Sequence, residues 1–203
     1  MKKIIIFLAA IMLFVSTDFS LACVGKTIYI GQEQNSESII LAEMLAILIR
    51  ERTGTTTIIK ILKQNEEGHD LLEKGDIDIF VEYTGKSLIE VLKRKDIPEK
   101  DKIFEVVRHE YQEKLNLVWL RPFGFDSEFY KNEAIKKLGL PCYPAPVIRR
   151  QTLKNFPALP RLLNKLGGII NDKTYDELLK KINKGTESPT DIAREFLKEK
   201  KLI

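Results

Sequence analysis

Residues 75–85 read GDIDIFVEYTG and contain the clearest strand signal in the chain. The centre of this stretch, IDIFV, combines β-branched and aromatic residues in a short apolar run, which predicts a buried strand. Gly75 ends a short helix predicted over 67–74, and Gly85 allows the turn into a helix predicted over 86–94. Helix, strand and helix in direct succession are typical of an α/β protein.

The same alternation extends to both sides of this stretch. Further strands are predicted over 26–32, 55–62 and 117–120. Helices are predicted over 35–52, 100–114, 128–138, two short pieces within 153–167, 172–184 and 188–200. The last helix opens with a capping box that begins at Ser188. This order predicts a mostly parallel sheet flanked by helices, in which ligands bind at the carboxyl ends of the strands.

Residues 1–22 have the composition of a targeting segment. Two lysines are followed by an unbroken apolar run over 4–15, and Ser20 and Ala22 supply the small residues of a cleavage site. The run is short for a permanent membrane span. We therefore predict a secretory signal peptide and export of the mature chain, with an uncleaved N-terminal anchor as the alternative.

Cys23 would be the first mature residue, which is the position at which bacterial lipoproteins carry their lipid. Ser20 and Leu21 stand in the reverse of the usual order before such a cysteine, so lipid attachment and soluble export are both open. If Cys23 carries no lipid, a disulfide with Cys142 can form in an oxidising compartment. Membrane contact is expected only through the signal segment or through a lipid on Cys23.

The composition excludes several classes of function. Lys and Arg total 33 and Asp and Glu total 29 among 203 residues, and the two signs are interleaved, so the net charge of +4 does not indicate nucleic-acid binding. Two cysteines and two histidines nearly exclude a structural zinc site and leave little for histidine-based catalysis. The sequence also lacks a glycine-rich phosphate loop. We expect no enzyme activity, no cofactor and no metal.

The end of the central predicted strand carries the chemistry of a ligand site. Tyr83 can present a ring face to a cation, and Thr84 or the helix N-terminus beside it can bind an anion. Taken alone, these two residues fit a core tyrosine at a strand end better. The loop 31–38, after the first predicted strand, is the other strand end that stands out for its polar residues.

The stretch 75–85 resembles the hallmark of the glycine betaine/choline-type substrate-binding proteins of osmoprotectant ABC transporters. The resemblance continues in chain order through most of the sequence after the signal. KTIYIGQEQNSES at 26–38 is similar to the family's first strand and ligand loop, and LNLVWLRP at 115–122 is similar to its fourth strand. Segments 143–149 and 191–202 are similar to the family's C-terminal segments.

The resemblance implies a periplasmic-binding-protein type II fold, in which two lobes close on a quaternary ammonium compound and aromatic side chains surround the methylated nitrogen. The permease of the ABC transporter then recognises the closed form, so the chain is expected in the periplasm or at the outer face of the cytoplasmic membrane. Carried over to this sequence, the implied ligand-binding residues are Tyr83, Thr84, Tyr143, Gln34, Ser36 and Glu128.

The sequence departs from the family in length. The predicted first lobe comprises 23–121 and 143–203, and only a short remnant or linker, 122–142, stands where the second lobe belongs. The expected fold is therefore a single α/β lobe. Sites for small ligands usually enclose most of the ligand surface, and half a clamp cannot do so. We expect a lone chain to bind glycine betaine or choline weakly or not at all.

Three contact positions of the family also differ. Glu33 stands where the family has a basic residue, Lys86 where it often has Thr, and Asn132 where it has Arg. We therefore expect the substrate-binding component of an ABC importer, reduced to one lobe. The alternatives are a single-lobe interaction protein that docks on a permease or dimerises, and a decayed gene product without ligand binding.

Overall fold

A computed structural model describes residues 26–203, so the predicted signal segment 1–22 and Cys23 lie outside the described residues. The described chain forms one five-stranded sheet with helices on both faces. The strands are β1 (Ile28–Gln32), β2 (Thr57–Ile61), β3 (Ile79–Tyr83), β4 (Leu117–Trp119) and β5 (Pro144–Arg149). The helices are α1 (Ser36–Thr53), α2 (Gly68–Lys74), α3 (Thr84–Lys86), α4 (Ile103–Glu110), α5 (Glu133–Leu138), α6 (Arg150–Asn155), α7 (Leu159–Leu163), α8 (Asp172–Lys184) and α9 (Pro189–Glu199).

The stretch 75–85 supplies the central strand of the sheet, β3, which is buried at every position. The strand order is β2-β1-β3-β5-β4. β1 pairs in parallel with β2 and β3, whereas β5 pairs antiparallel with both β3 and β4. Four strands therefore run in one direction and β5 runs in the other, which confirms the predicted mostly parallel α/β sheet.

β5 is the strand that the sequence did not predict. Pro144 and Pro146 lie within it, and proline inside an apolar run argues against a central strand because it donates no hydrogen bond. Here both prolines act as acceptors: the Phe123 N–H donates to the Pro144 carbonyl and the Leu120 N–H to the Pro146 carbonyl, each at 2.9 Å. The ladder with β4 ends at Trp119, so it stops where the prolines begin.

α1 is buried around almost its whole circumference because it lies between two layers. It packs on β1, β2 and β3 on one side and on α7, α8 and α9 on the other. Asn35 caps its start by accepting a hydrogen bond from the Ser38 N–H, and Gly54 ends it with a left-handed φ of 68°. α2 and the turn that follows α4 pack on the opposite face of the sheet.

Two helices begin at other residues than the pattern predicts. Of the helix predicted over 128–138, only the part after Asn132 is helical, because the Asn132 side chain accepts from the Ile135 N–H at 2.9 Å and caps α5. The helix predicted over 86–94 begins at Thr84 as α3 and continues into a π-helical turn. Both differences lie at the edge of the predicted ligand site.

The segment 122–142, predicted as a remnant or linker, packs into the core of the lobe. Phe123 and Phe125 are fully buried, and the Phe125 ring stacks on Tyr175 of α8 with centroids 4.1 Å apart. The buried Ser127 hydroxyl donates to the Glu37 carboxylate of α1 at 2.8 Å. A linker would leave such side chains in solvent, so this segment is part of the structural unit that it joins.

Phe125→Ala tests the role of this segment. Removing the buried ring leaves a cavity and the stacking contact with Tyr175 is lost, so we expect the free energy of unfolding to fall by about 3–5 kcal/mol. The matched control is Phe129→Ala in the same segment, where the ring is 63% exposed and the expected loss is below about 1 kcal/mol. Urea unfolding followed by circular dichroism measures both. Equal small losses would show that the segment is a linker.

β3 also carries one carboxyl group into the interior. Glu82 is buried, and one of its oxygens accepts from the Ser87 hydroxyl at 3.1 Å while the other has no hydrogen-bond partner within residues 26–203. Burial raises the pKa of Glu82 from 4.5 to about 7, although the Lys86 ammonium and the Ser87 hydrogen bond act in the opposite direction. Near neutral pH this carboxyl is therefore partly protonated.

The raised pKa predicts how stability depends on pH. The folded chain holds the Glu82 proton more tightly than the unfolded chain, so the contribution of this residue to the free energy of unfolding falls as pH rises from about 4.5 to about 7. Glu82→Gln removes this contribution. Between pH 5 and 8 we expect the variant to gain up to about 3 kcal/mol relative to the wild type.

Urea unfolding at several pH values measures this difference. Glu113→Gln serves as the control because it removes an exposed carboxyl, in the turn that follows α4. The free energy of unfolding of this variant should depend on pH as that of the wild type does. A constant difference between Glu82→Gln and the wild type across this pH range would contradict the prediction.

Candidate functional site

The carboxyl ends of β1 and β3 are adjacent because the two strands pair directly and run in parallel. The loop after β1 therefore meets the start of α3. Asn35, at the end of this loop, uses its side chain three times: it caps α1, its amide donates to the Tyr130 hydroxyl at 2.8 Å, and the same amide donates to the Glu33 carboxylate at 3.2 Å. The loop is thereby held against the segment 122–142.

Two tyrosines stack at this point. The rings of Tyr83, the last residue of β3, and Tyr130 of the segment 122–142 lie 3.7 Å apart at their centroids, with an interplanar angle of 24°. Tyr83 is only 2% exposed. The Tyr130 hydroxyl donates to Glu33, and burial, followed by the charge of Glu33, raises the pKa of Tyr130. Of the two rings, Tyr130 is the one nearer to solvent.

A cation already lies over this aromatic pair. The Lys86 ammonium is 5.6 Å from the centroid of the Tyr130 ring and 3.3 Å from a carboxylate oxygen of Glu67. The Lys86 side chain is 17% exposed. Burial alone would lower the pKa of Lys86, but the negative charges of Glu82, Glu67 and Glu33 outweigh it and raise this pKa. Lys86 is therefore charged where it meets the ring.

An open cavity of about 620 Å³ lies beside Lys86. Its walls come from the loops after β1 and β2, the approach to α2 and the end of α3. The lining residues are Glu33, Gln34, Leu62, Lys63, Gln64, Glu66, Glu67 and Lys86. Three carboxylates and two ammonium groups face this space, and Leu62 is the one apolar residue among those that line it. The arrangement suits a small polar cation better than an apolar ligand.

The predicted site residues after β1 and β3 are placed differently from one another. Gln34 lines the cavity, and its amide donates to the Leu62 carbonyl at 3.3 Å. Tyr83 lies behind Tyr130 and outside the cavity wall. Thr84 is fully buried: its hydroxyl donates to the Pro141 carbonyl at 2.9 Å and accepts from the Tyr143 N–H at 3.0 Å. The Thr84 hydroxyl thus joins β3 to the start of β5.

The other three predicted residues lie apart from the cavity. Tyr143 and Glu128 line a separate groove of about 400 Å³, in which Glu128 pairs with Lys131. Ser36 donates to the Asn183 side chain of α8 at 2.8 Å. The structure therefore places Gln34 on the cavity wall and Tyr83 behind Tyr130, and Lys86, which lines the cavity and lies over the Tyr130 ring, connects the two. It places Tyr143, Glu128 and Ser36 elsewhere.

Sequence reasoning did not assign Tyr130 and Glu67 to the site. Tyr130 belongs to a stretch after β4, residues 121–146, in which aromatic residues, glycine and proline interrupt the strand–helix alternation, and this stretch was the available signal. Glu67 had no signal, since it lies in a charged stretch before α2 like many other glutamates. Lys86 stood out only as a departure from the family pattern.

A sequence profile of the family described as "Substrate binding domain of ABC-type glycine betaine transport system" matches residues 26–129 and 134–199. The carnitine transport binding protein OpuCC of Listeria monocytogenes is 29% identical over 153 residues, which are 69% of this chain and 50% of that protein. The ergothioneine transport permease/ergothioneine binding protein EgtU of Helicobacter pylori is 28% identical over 105 residues, 51% of this chain and 19% of that protein. The chain thus spans half or less of the length of these relatives.

Solved structures agree on the fold. A glycine betaine/carnitine/choline ABC transporter structure superposes with a TM-score of 0.74 at 18% identity, covering 86% of this chain and 99% of that chain. Apo YehZ from Escherichia coli superposes with a TM-score of 0.73 at 16% identity, covering 88% and 100%. Lactococcal OpuAC in complex with glycine betaine has a TM-score of 0.53 at 10% identity, covering 86% and 96%. These likenesses confirm a type II periplasmic-binding-protein fold.

Family and fold are those of transport proteins and not of enzymes. Within residues 26–203, no helix combines the length and the apolar character that crossing a bilayer requires. The profile covers most of the chain, including β1 to β5 and the helices α1, α8 and α9. The chain belongs to the family of substrate-binding domains of ABC-type glycine betaine transport systems.

Proposed function

We propose that this chain is the substrate-binding component of an ABC importer for quaternary ammonium osmoprotectants of the glycine betaine and choline class. It acts outside the cytoplasmic membrane and presents its cargo to a permease. The observation that carries this proposal is the cation over the Tyr130 ring: the lobe holds a stacked pair of tyrosines with an ammonium at 5.6 Å, beside an open cavity. Aromatic faces of this kind recognise quaternary ammonium groups.

The charges around the cavity favour a cargo without a carboxylate. Glu33, Glu66 and Glu67 line the space, and the two lysines there already pair with Glu66 and Glu67. A carboxylate on the ligand would meet this negative field without a free cation in the wall. We therefore infer that the lobe prefers choline-like cations over zwitterions such as glycine betaine.

The affinity of the single lobe is expected to be low. One face of Tyr130 is covered by Tyr83, and no second lobe within the described chain closes over the cavity. A cation–π contact that stays in contact with water contributes about 0.5–1 kcal/mol, compared with about 2 kcal/mol or more when it is desolvated. A dissociation constant of 1 mM corresponds to about −4.1 kcal/mol, which already requires several such contacts.

Calorimetric or NMR titration of the mature chain tests the proposal. We expect saturable choline binding with a dissociation constant of about 1 mM or weaker, and weaker binding of glycine betaine. Tyr130→Leu should abolish choline binding, whereas the control Tyr143→Leu, in the separate groove, should leave it unchanged. Micromolar affinity for any quaternary amine would contradict the open site, and no saturable binding of any of them would contradict the cargo function.

A second candidate function is docking of the lobe on a permease or on a second copy of itself. Phe129 favours it: this ring is 63% exposed and lies 5.2 Å from Tyr130, at the rim of the site. Large exposed aromatic rings are common at the centres of protein interfaces. A partner that covers Phe129 would also close the site that the missing lobe leaves open.

Sedimentation velocity distinguishes the self-docking form of this second function. If two lobes pair through this rim, the wild-type chain sediments as a dimer at about 100 μM and Phe129→Ala sediments as a monomer, because the variant removes the ring without disturbing the core. Leu138→Ala, at an exposed apolar residue of α5, is the control and should sediment like the wild type. Monomers in all three cases would exclude the self-docking form of this second function.

A further inference from the structure

We propose that Lys86 is a resident competitor in the ligand site: its ammonium occupies the face of Tyr130 that a quaternary ammonium cargo uses, and it thereby lowers the affinity of the open site further. For the class of ligand, this inference rests on the proposed function. The inference adds one determinant of affinity: the ligand must displace Lys86, a residue of the chain itself.

The geometry leaves one aromatic face for both cations. Tyr83 covers one side of the Tyr130 ring at a centroid distance of 3.7 Å, so the Lys86 ammonium, 5.6 Å from the same centroid, lies over the other side. Lys86 also lines the open cavity, whereas Tyr130 does not. A cation that enters from the cavity therefore meets Lys86 before it reaches the ring.

Electrostatics hold Lys86 in this position. Its ammonium pairs with Glu67 at 3.3 Å, and the carboxylates of Glu82 and Glu33 add to the attraction. A group tethered near its site competes as if it were present at a concentration of about a millimolar or more. The tethered ammonium weakens the binding of a free ligand by a factor of one plus this effective concentration divided by the dissociation constant of the ammonium itself. The ion pair with Glu67 lowers that dissociation constant and so strengthens the competition.

Lys63 is a second lysine in the cavity wall and serves as the comparison for Lys86. It lines the same cavity, pairs with Glu66 at 3.8 Å and is 86% exposed. Unlike Lys86, it is not placed over an aromatic ring. The two lysines carry the same charge into the same cavity, so a comparison between them separates the occupation of the ring face from the general charge of the site.

Neutral variants at these two positions test the inference, with tetramethylammonium and choline as probes in NMR titrations of the mature chain. Lys86→Thr should bind both probes at least about 10-fold more tightly than the wild type, which corresponds to about 1.4 kcal/mol. Lys63→Thr removes one positive charge from the same wall and should change affinity by less than about 2-fold. Lys86→Arg keeps a cation over the ring and should bind like the wild type.

Two further variants secure the interpretation. Lys86→Thr combined with Tyr130→Leu should lose the gain, because the vacated face no longer exists. Lys86→Gln replaces the ammonium by a neutral group of similar length, and it should show the same gain if Lys86→Thr does not fold. Circular dichroism confirms the fold of each variant.

The outcomes separate this inference from the proposed function. Equal gains in Lys86→Thr and Lys63→Thr, or no gain in either folded Lys86 variant, would overturn the role of Lys86, even if the wild type binds choline. If only the Lys86 variants bind, the role of Lys86 is upheld, and the cargo function of the native chain is the part that fails.

Discussion

The rest of the structure depends on the buried carboxylate of Glu37, which connects three parts of this lobe. It lies in the first turn of α1, where the helix dipole favours a negative charge, and it accepts hydrogen bonds from Ser127 and from the Tyr175 hydroxyl. Burial raises the pKa of Glu37, and the three hydroxyl groups around it, including that of Tyr83, counteract this. One carboxylate thus ties α1, the segment 122–142 and α8 together.

The position of Tyr130 follows from this anchoring. Ser127 is hydrogen-bonded to α1 and Phe125 stacks on Tyr175 of α8. The residues that follow them in the segment 122–142 therefore cross the end of β3, where the Tyr130 ring stacks on Tyr83. A strand end that carries an aromatic ring would otherwise expose an apolar patch. The segment 122–142, between β4 and β5, covers this ring through Tyr130.

Much of this fold could be predicted because its signals are local. β3 and its flanking glycines, α8 and α9 lie where the pattern places them, and Ser188 caps α9 through the Asp191 N–H. β5 was hard to predict, since proline lacks the N–H that a ladder needs. In the assembled sheet the ladder with β4 ends at Val147 of β5, before it reaches the two prolines.

The site was less predictable than the fold for a related reason. Tyr83 and Gln34 could be predicted because each follows from its place at a strand end. The contact between Tyr130 and Glu33 could not, because it joins residues that are 97 positions apart. Thr84 illustrates the limit of motif reasoning: a hydroxyl at a strand end fits an anion site, but here it is used to hold β5 in place. Local sequence identifies the chemical group, but it does not identify the residue with which that group forms its hydrogen bonds in the folded chain.

If Lys86 competes for the Tyr130 ring as proposed, ligand binding in this lobe is an exchange of cations and not the filling of an empty site. A quaternary ammonium ion that displaces Lys86 gains the Tyr130 face, but it has no N–H to donate to Glu67, so that carboxylate keeps only the Coulomb attraction. In return the Lys86 ammonium, a compact and strongly hydrated charge, regains its water. The Coulomb terms of the two cations largely cancel, and the balance depends on hydration. Because a methylated cation costs less to dehydrate than a primary ammonium, hydration favours the ligand. The tether of Lys86 and its ion pair with Glu67 act in the opposite direction and keep the ligand's advantage small.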